Sequence, residues 1–151
     1  MRLIWFIKVL SFLQYKFNYM NKISLAGCVI TDGNKILLIR RIKTGWYELP
    51  GGKIENVETA EETAIREIKE ELCVDIKIVK KIGQKDFVEK GYTMSYSWFS
   101  ASILNNQKPT IGEPERFDEI KYIVFEKLKE IKLSPNMENL VKELESGNVS
   151  V

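Results

Sequence analysis

The stretch LPGGKIENVETAEETAIREIKEELCV, residues 49–74, decides the fold. Pro50-Gly51-Gly52 is a strong breaker through which no regular element can simply continue. Behind it Thr59 and Glu62 stand at capping-box spacing, and strong helix formers follow, so the spacing predicts a helix over 59–72. At about 100° per residue, Glu67, Glu70 and Glu71 fall in one sector of that helix, with Ile65, Ile68 and Leu72 in a neighbouring one. Arg66, Lys69 and Glu62 lie further round, which leaves the three glutamates without alternating cations to neutralise them. Like charges three and four residues apart cost roughly 0.2–0.5 kcal/mol each on a helix, a penalty that a bound divalent cation reverses. Taken alone, an E-x-x-E-E cluster is usually a solvated helix face. The glycines ahead of it change the reading, because they permit close backbone approach to a ligand, with Glu58 reaching back from the helix entrance.

Upstream, ISLAGCVIT (residues 23–31) reads as a strand, Asp32-Gly33-Asn34 as a turn and Lys35 to Arg40 as the partner strand of a β-hairpin. Downstream, Val74, Ile76 and Ile78 alternate with polar residues, as do Met94, Tyr96 and Trp98 after a turn at Gly91. Tyr96 and Trp98 read as sheet core. Asn105 to Phe117 is a polar loop holding Pro109, Gly112 and Pro114, after which Ile120, Tyr122 and Val124 mark a last strand. A final helix starts at Ser134-Pro135, buries Met137, Leu140, Val141 and Leu144, and stops near Gly147. Strands and helices interleave, so the expected class is α/β, with helices packed on a central sheet.

The length of 151 residues suits one domain, and 23 Lys plus Arg against 21 Asp plus Glu gives no sequence-independent grip on nucleic acid. There is no histidine, which excludes serine-histidine triads, cysteine-histidine pairs and histidine-based zinc sites. Acid-base and metal chemistry therefore fall mainly to carboxylates. Cys28 and Cys73 lie far apart without a CxxC partner, which fits buried thiols in a reducing cytoplasm better than a zinc site or a disulfide framework. Residues 1–20 form a separate apolar block, interrupted by Lys8 and shorter than the ~20 uninterrupted apolar residues needed to cross a bilayer. They read as an element packed on the domain, as a membrane-surface helix, or as an inert extension ahead of a translation start at Met20. The expected domain is 21–147, followed by a tail, 148–151.

Taken together, Gly52, five residues, Glu58, seven residues, then Arg66-Glu67-Ile68-Lys69-Glu70-Glu71-Leu72-Cys73-Val74 resembles the signature of the Nudix hydrolases. One position departs: Cys73 stands where the family has glycine. A glycine at a helix end supplies a left-handed backbone, and holding cysteine there costs on the order of 1 kcal/mol. The flanks fit as well, with Arg40-Arg41, Trp46 and Leu49-Pro50-Gly51-Gly52 before the box, and Glu113-Pro114-Glu115, Glu119 and Tyr122 after it. The resemblance runs from about Ile23 to Leu144.

It implies the Nudix fold, an α/β/α sandwich with a central mixed sheet, and a pyrophosphohydrolase. Glu67, Glu70 and Glu71, with the Gly51 carbonyl, would hold Mg²⁺ or Mn²⁺; Gly52 and Glu58 would support the box. Arg66 would orient Glu67 or Glu70, a role compatible with a surface pair to Glu62 at i,i+4. A glutamate would deprotonate a water for in-line attack on phosphorus: Glu67, Glu70 or a loop carboxylate, Glu115 before Glu119. Arg40 or Arg41 would meet phosphate, and Trp46, Tyr47 or Phe117 would stack on a base, each aromatic being as readily explained by packing. The implied substrate is a small nucleotide, first a nucleoside triphosphate, whether normal, oxidised or otherwise non-standard, cut to monophosphate and pyrophosphate. An ADP-sugar is the runner-up, although no proline follows the box until Pro109; a dinucleoside polyphosphate, to which Tyr92 points, is a third. A non-catalytic nucleotide sensor on the same fold is the alternative of another class, and it should have lost box carboxylates that are all present.

Overall fold

The computed structural model describes residues 2–151. In chain order it contains α1 (Arg2–Met20), β1 (Lys22–Asp32), β2 (Lys35–Arg41), β3 (Tyr47–Glu48), β4 (Gly51–Lys53), α2 (Ala60–Leu72), β5 (Ile76–Glu89), β6 (Tyr92–Ile103), β7 (Phe117–Val124) and α3 (Pro135–Glu145). Short 3₁₀ turns at Leu104–Asn106 and Phe125–Glu130 flank β7 on the chain.

The seven strands make one mixed sheet in the order β3-β2-β1-β6-β5, with β4 also on β1 and β7 also on β2. β1 runs parallel to β6 over its length, from Lys22 opposite Thr93 to Ile30 opposite Ala101. The expected β1–β2 hairpin forms, but only its tip is paired, Thr31 with Ile36 and Asp32 with Lys35. Beyond that the two strands part, and β2 pairs antiparallel with β7 along its whole length. Sequence shows two adjacent strands and a turn; it does not show that each finds its main partner elsewhere.

Two apolar layers explain why β1 and β2 are continuous buried runs instead of alternating ones. Ala26, Cys28, Ile30, Leu37 and Ile39 face α2 and its Ala64, Ile68 and Leu72. Val29, Ile36 and Leu38 face the other way, onto Trp98 and the Met137, Leu140 and Val141 of α3. Helix, sheet and helix thus make the expected sandwich. Trp98 is fully buried, as read from its alternation, and its indole donates to Asn136 Oδ1 at 2.9 Å, tying the sheet to the start of α3. There Ser134 caps the helix by accepting the Met137 N–H, with Pro135 in the first turn. The chain stays on the domain past α3: Val149 packs on the α3-side core and backs onto Gly83, where a Cβ would come within 2.8 Å of it.

α2 ends as the departure at position 73 requires. Cys73 takes φ 56° and ψ 28°, the left-handed conformation usually left to glycine, and donates its N–H to the Lys69 carbonyl. The loop before β7 closes the same end, with Thr110 N–H on Leu72 O at 3.0 Å and Gly112 N–H on Glu71 O at 2.9 Å. No helix among the described residues is long and apolar enough to cross a membrane. In α1, Leu3, Trp5, Phe6, Leu10, Phe12 and Leu13 are all more than half exposed.

Candidate active site

The entrance of α2 fixes the first charges. Thr59 Oγ1 accepts from Glu62 N at 3.2 Å, and the Glu62 carboxylate accepts from Thr59 N at 2.8 Å. Glu62 is thereby committed to the helix start, so the surface pair with Arg66 that sequence left open does not form. Arg66 turns to Glu58 instead, Nε to Oε1 at 2.6 Å and Nη2 to Oε2 at 2.9 Å, and Thr63 Oγ1 adds a third bond to that carboxylate at 2.8 Å. The Arg66 fork, with Thr63, holds the Glu58 carboxyl down to about 2. Arg66 Nη1 also reaches Glu67 Oε1 at 2.8 Å and Glu70 Oε2 at 3.2 Å. A cation therefore does sit among the glutamates, contrary to the helical-wheel reading, because the Arg66 side chain sweeps across the face next to its own.

Glu67 and Glu71 lie on the buried side of α2, in one stripe with Thr63, Ala64, Ile68 and Leu72. Ile65, expected among the apolar residues, is exposed. The stripe can hold two carboxylates because it faces β4, whose glycines leave room. A Cβ on Gly52 would lie 2.7 Å from Glu67 Oε2 and closer still to its Cδ and Oε1. The Gly51 N–H donates to Glu71 Oε2 at 2.8 Å. Glu71 Oε1 is buried without a hydrogen-bond partner, and the Arg116 guanidinium is 3.9 Å away. Burial raises both carboxyls, Glu67 against the opposing pull of Arg66, and Glu71 well above the ordinary carboxylate value, with the Gly51 N–H as the first offset. Glu70 is half exposed at the rim. Among the described residues no three acidic, histidine or cysteine side chains already converge on one point.

These carboxylates abut the wall of a cleft of about 460 Å³ bordered by Gly51, Gly52, Arg41, Trp46, Tyr96 and Arg116. Arg41 is held there by Glu48, Nε lying 3.0 and 3.1 Å from the two oxygens, and Trp46 Nε1 donates to the same carboxylate at 2.8 Å. Of the residues read as substrate contacts, Arg41 and Trp46 line the cleft. Arg40 does not: it sits at a register shift in β2 and pairs on the far side with Asp118 at 2.8 Å and Glu119 at 3.6 Å. Phe117 is 1% exposed, so it cannot stack on a base; the Arg41 and Arg116 guanidinia lie 4.8 and 5.0 Å from its ring centre. Tyr47 donates to Glu119, and both lie away from the cleft lining. Glu115 is exposed and also outside it, whereas Glu113 anchors Arg116 at 2.6 Å.

Sequence reading passed over Glu48, Arg116 and Asn136. Glu48 carried a signal, since Trp46 and Glu48 are two apart and point to one side of an extended segment. Arg116 and Asn136 carried none, because their positions depend on how the loop and the start of α3 fold back onto β2, β3 and β4.

With the geometry in place, the comparisons with known proteins agree on the class. The family model for the NUDIX domain matches residues 22–144. The chain belongs to the Nudix hydrolase family, whose members act on pyrophosphates. An ADP-ribose pyrophosphatase of Methanocaldococcus jannaschii is 33% identical over 122 residues, covering 76% of this chain and 68% of that one. An 8-oxo-dGTP diphosphatase of Proteus vulgaris is 33% identical over 82 residues, 50% of this chain and 73% of that one. Two further relatives, from Bacillus subtilis and Streptomyces ambofaciens, are matched over only 48% and 42% of their own length, so the chain spans about half of each. Among solved structures, a MutT NUDIX hydrolase from Burkholderia pseudomallei superposes with a TM-score of 0.73 at 24% identity, covering 80% of this chain and 96% of that one, which establishes the shared fold.

Proposed function

We propose that residues 21–147 form a cytoplasmic, Mg²⁺-dependent nucleotide pyrophosphohydrolase whose first substrate class is a nucleoside triphosphate, normal or oxidised, cut to monophosphate and pyrophosphate. The observation that carries this reading is the buried, unpartnered Oε1 of Glu71 beside Gly51 and Arg116. A buried carboxylate oxygen without a partner calls for one, and an oxygen-only donor set suits a hard divalent cation. Glu67 and Glu71 would hold Mg²⁺ with the Gly51 carbonyl, and Mn²⁺ would suit the same donors; Glu70 would join them on releasing Arg66. When bound, the metal supplies charge neutralisation for the pyrophosphate oxygens and acidifies water.

The chain's own groups do the rest. Glu58 fixes the Arg66 fork, and Arg66 orients Glu67 through Oε1, leaving Oε2 as the proton acceptor for the attacking water. In the metal-free protein burial holds the Glu67 carboxyl above its ordinary value, against the pull of Arg66. Arg41, pre-oriented by Glu48, and Arg116, pre-oriented by Glu113, would meet the phosphates across the cleft, and Trp46 would contact the base. Glu70 and Glu115 are second and third choices as base.

The Proteus relative supports the triphosphate reading, and the Methanocaldococcus relative, matched over more of this chain, supports ADP-ribose as the second. Purified protein incubated with Mg²⁺ and nucleoside triphosphates, oxidised dGTP, ADP-ribose and dinucleoside polyphosphates, with products separated by chromatography, tests both. Metal-dependent release of a monophosphate that is lost in Glu71→Gln fits the proposal. Nucleotide binding without turnover of any compound would replace it with a sensor.

A further inference from the structure

We infer that α1 is a membrane-docking helix that binds the surface of an anionic bilayer. Its 19 residues span roughly 28 Å at 1.5 Å per residue. Leu3, Ile4, Trp5, Phe6, Ile7, Leu10, Phe12, Leu13 and Phe17 are each 54–76% exposed, far more apolar surface than single scattered hydrophobics leave on a folded domain. The charge of α1 is one-signed, Arg2, Lys8 and Lys16 with no acidic residue, while Lys22 just beyond it pairs with Asp86 at 3.2 Å. Such a segment is drawn to anionic headgroups, its aromatic rings suit the headgroup boundary, and its lysines can extend back to water. The helix is too short in apolar residues to cross, so it lies in or partly enters one leaflet.

A second copy of the chain is the competing occupant. Leu3, Phe6, Leu10, Leu13 and Phe17 do fall on a heptad seam, yet the seam covers fewer than the three to four heptads a stable coiled coil needs. Pairing would leave Ile4, Trp5 and Phe12 in water on the far side and would bring two all-cationic helices together. An anionic bilayer takes up apolar side chains beyond a single seam and complements the charge.

The root of α1 extends the same surface. The Thr93 N–H donates to the Asn21 carbonyl, and Lys22, Thr93 and Val88 form one row across the end of β1, β6 and β5. The β5–β6 hairpin turns just beyond that row, exposing Val88, Lys90 and Tyr92. Lys90 and Phe87 of this hairpin also border the cleft, so a docked α1 holds the cleft close to the bilayer.

Flotation of the full chain with phosphatidylcholine vesicles containing a minority of phosphatidylglycerol, against pure phosphatidylcholine vesicles, tests the inference without requiring turnover. The chain is expected to float with the anionic vesicles. Lys8→Gln with Lys16→Gln should weaken partitioning on the order of ten-fold or more. Trp5→Glu with Phe12→Glu, off the seam, should abolish flotation and leave the domain's melting temperature unchanged. Protein that stays at the bottom with both vesicles overturns the inference. So does equal flotation with both that is insensitive to the lysine changes, or a concentration-dependent oligomer in sedimentation velocity that survives Trp5→Glu with Phe12→Glu.

Discussion

The carboxylate of Glu67 occupies the space that a side chain on Gly52 would need. Glycine at this position is therefore a statement about a carboxylate on another element, and not about local backbone freedom. Gly51 is different, because a Cβ there would come within 2.5 Å of the Gly27 Cα, and its φ is 155°. Gly52→Ala should leave a folded protein, since a side-chain end can rotate away, with turnover reduced on the order of a hundred-fold by the displaced Glu67. Gly51→Ala should destabilise by roughly 1–3 kcal/mol or more because backbone must move. Thermal melts and kinetics on the two variants separate the cases.

The metal-free protein should lose stability as pH climbs above the ordinary carboxylate value of 4.5. Glu71 and Glu67 both have carboxyls raised by burial. A group of this kind contributes its stability fully below its unfolded value and loses it as pH rises through the folded one. In chelator-treated protein, Glu71→Gln should flatten that decline. Mg²⁺ should reverse it near neutral pH in the wild type, by about 2.7 kcal/mol at a hundred-fold excess over Kd.

Glu58 works in the opposite direction. Held down to about 2 by Arg66, it contributes stability above its unfolded value that is lost as pH falls from 4.5 toward 2. Glu58→Gln should lower stability at neutral pH, make the acid limb of the pH–stability profile shallower, and loosen Arg66, raising Mg²⁺ demand in turnover assays. An unchanged acid limb would show that the pair is too solvent-screened to matter.

Cys73→Gly should stabilise the protein by about 0.5–1 kcal/mol, because the residue already adopts φ 56°. Cys73→Val should destabilise it, a β-branched side chain being worse in that conformation. Urea unfolding checks both. Turnover should stay within about two-fold of wild type in Cys73→Gly, since position 73 supplies no group to the chemistry.

Most of the sandwich was legible because its determinants are local. The capping box at Thr59 and Glu62, the Ser134-Pro135 helix start and the apolar spacing of α3 each lie within a few residues of one another. The box carboxylates and glycines were legible by spacing. What sequence could not show depended on partners far along the chain. β2 leaves β1 for β7, Arg40 and Arg41 diverge at a register shift, and Phe117 goes into the core between two arginines. Arg66 illustrates a subtler limit: a helical wheel places the Cα–Cβ direction, whereas a long guanidinium reaches Glu58, Glu67 and Glu70 from a neighbouring sector.

The short pairing of β1 with β2 has a mechanical meaning. Leu25 and Tyr96 border the cleft from the half of the sheet built on β1 and β6, while Arg41, Trp46 and Glu48 border it from the half built on β2 and β3. Each half is knitted along its strands, but the strand pairing between β1 and β2 is confined to the hairpin tip, with the Cys28 N–H on Pro50 O and the helices α2 and α3 bridging besides. Stiffness is thus high within a half and low across the seam. A small change in the splay angle there widens or narrows the gap between the Arg41 guanidinium and the glycine wall, and no strand has to unpair for the cleft to adjust to ligands of different girth.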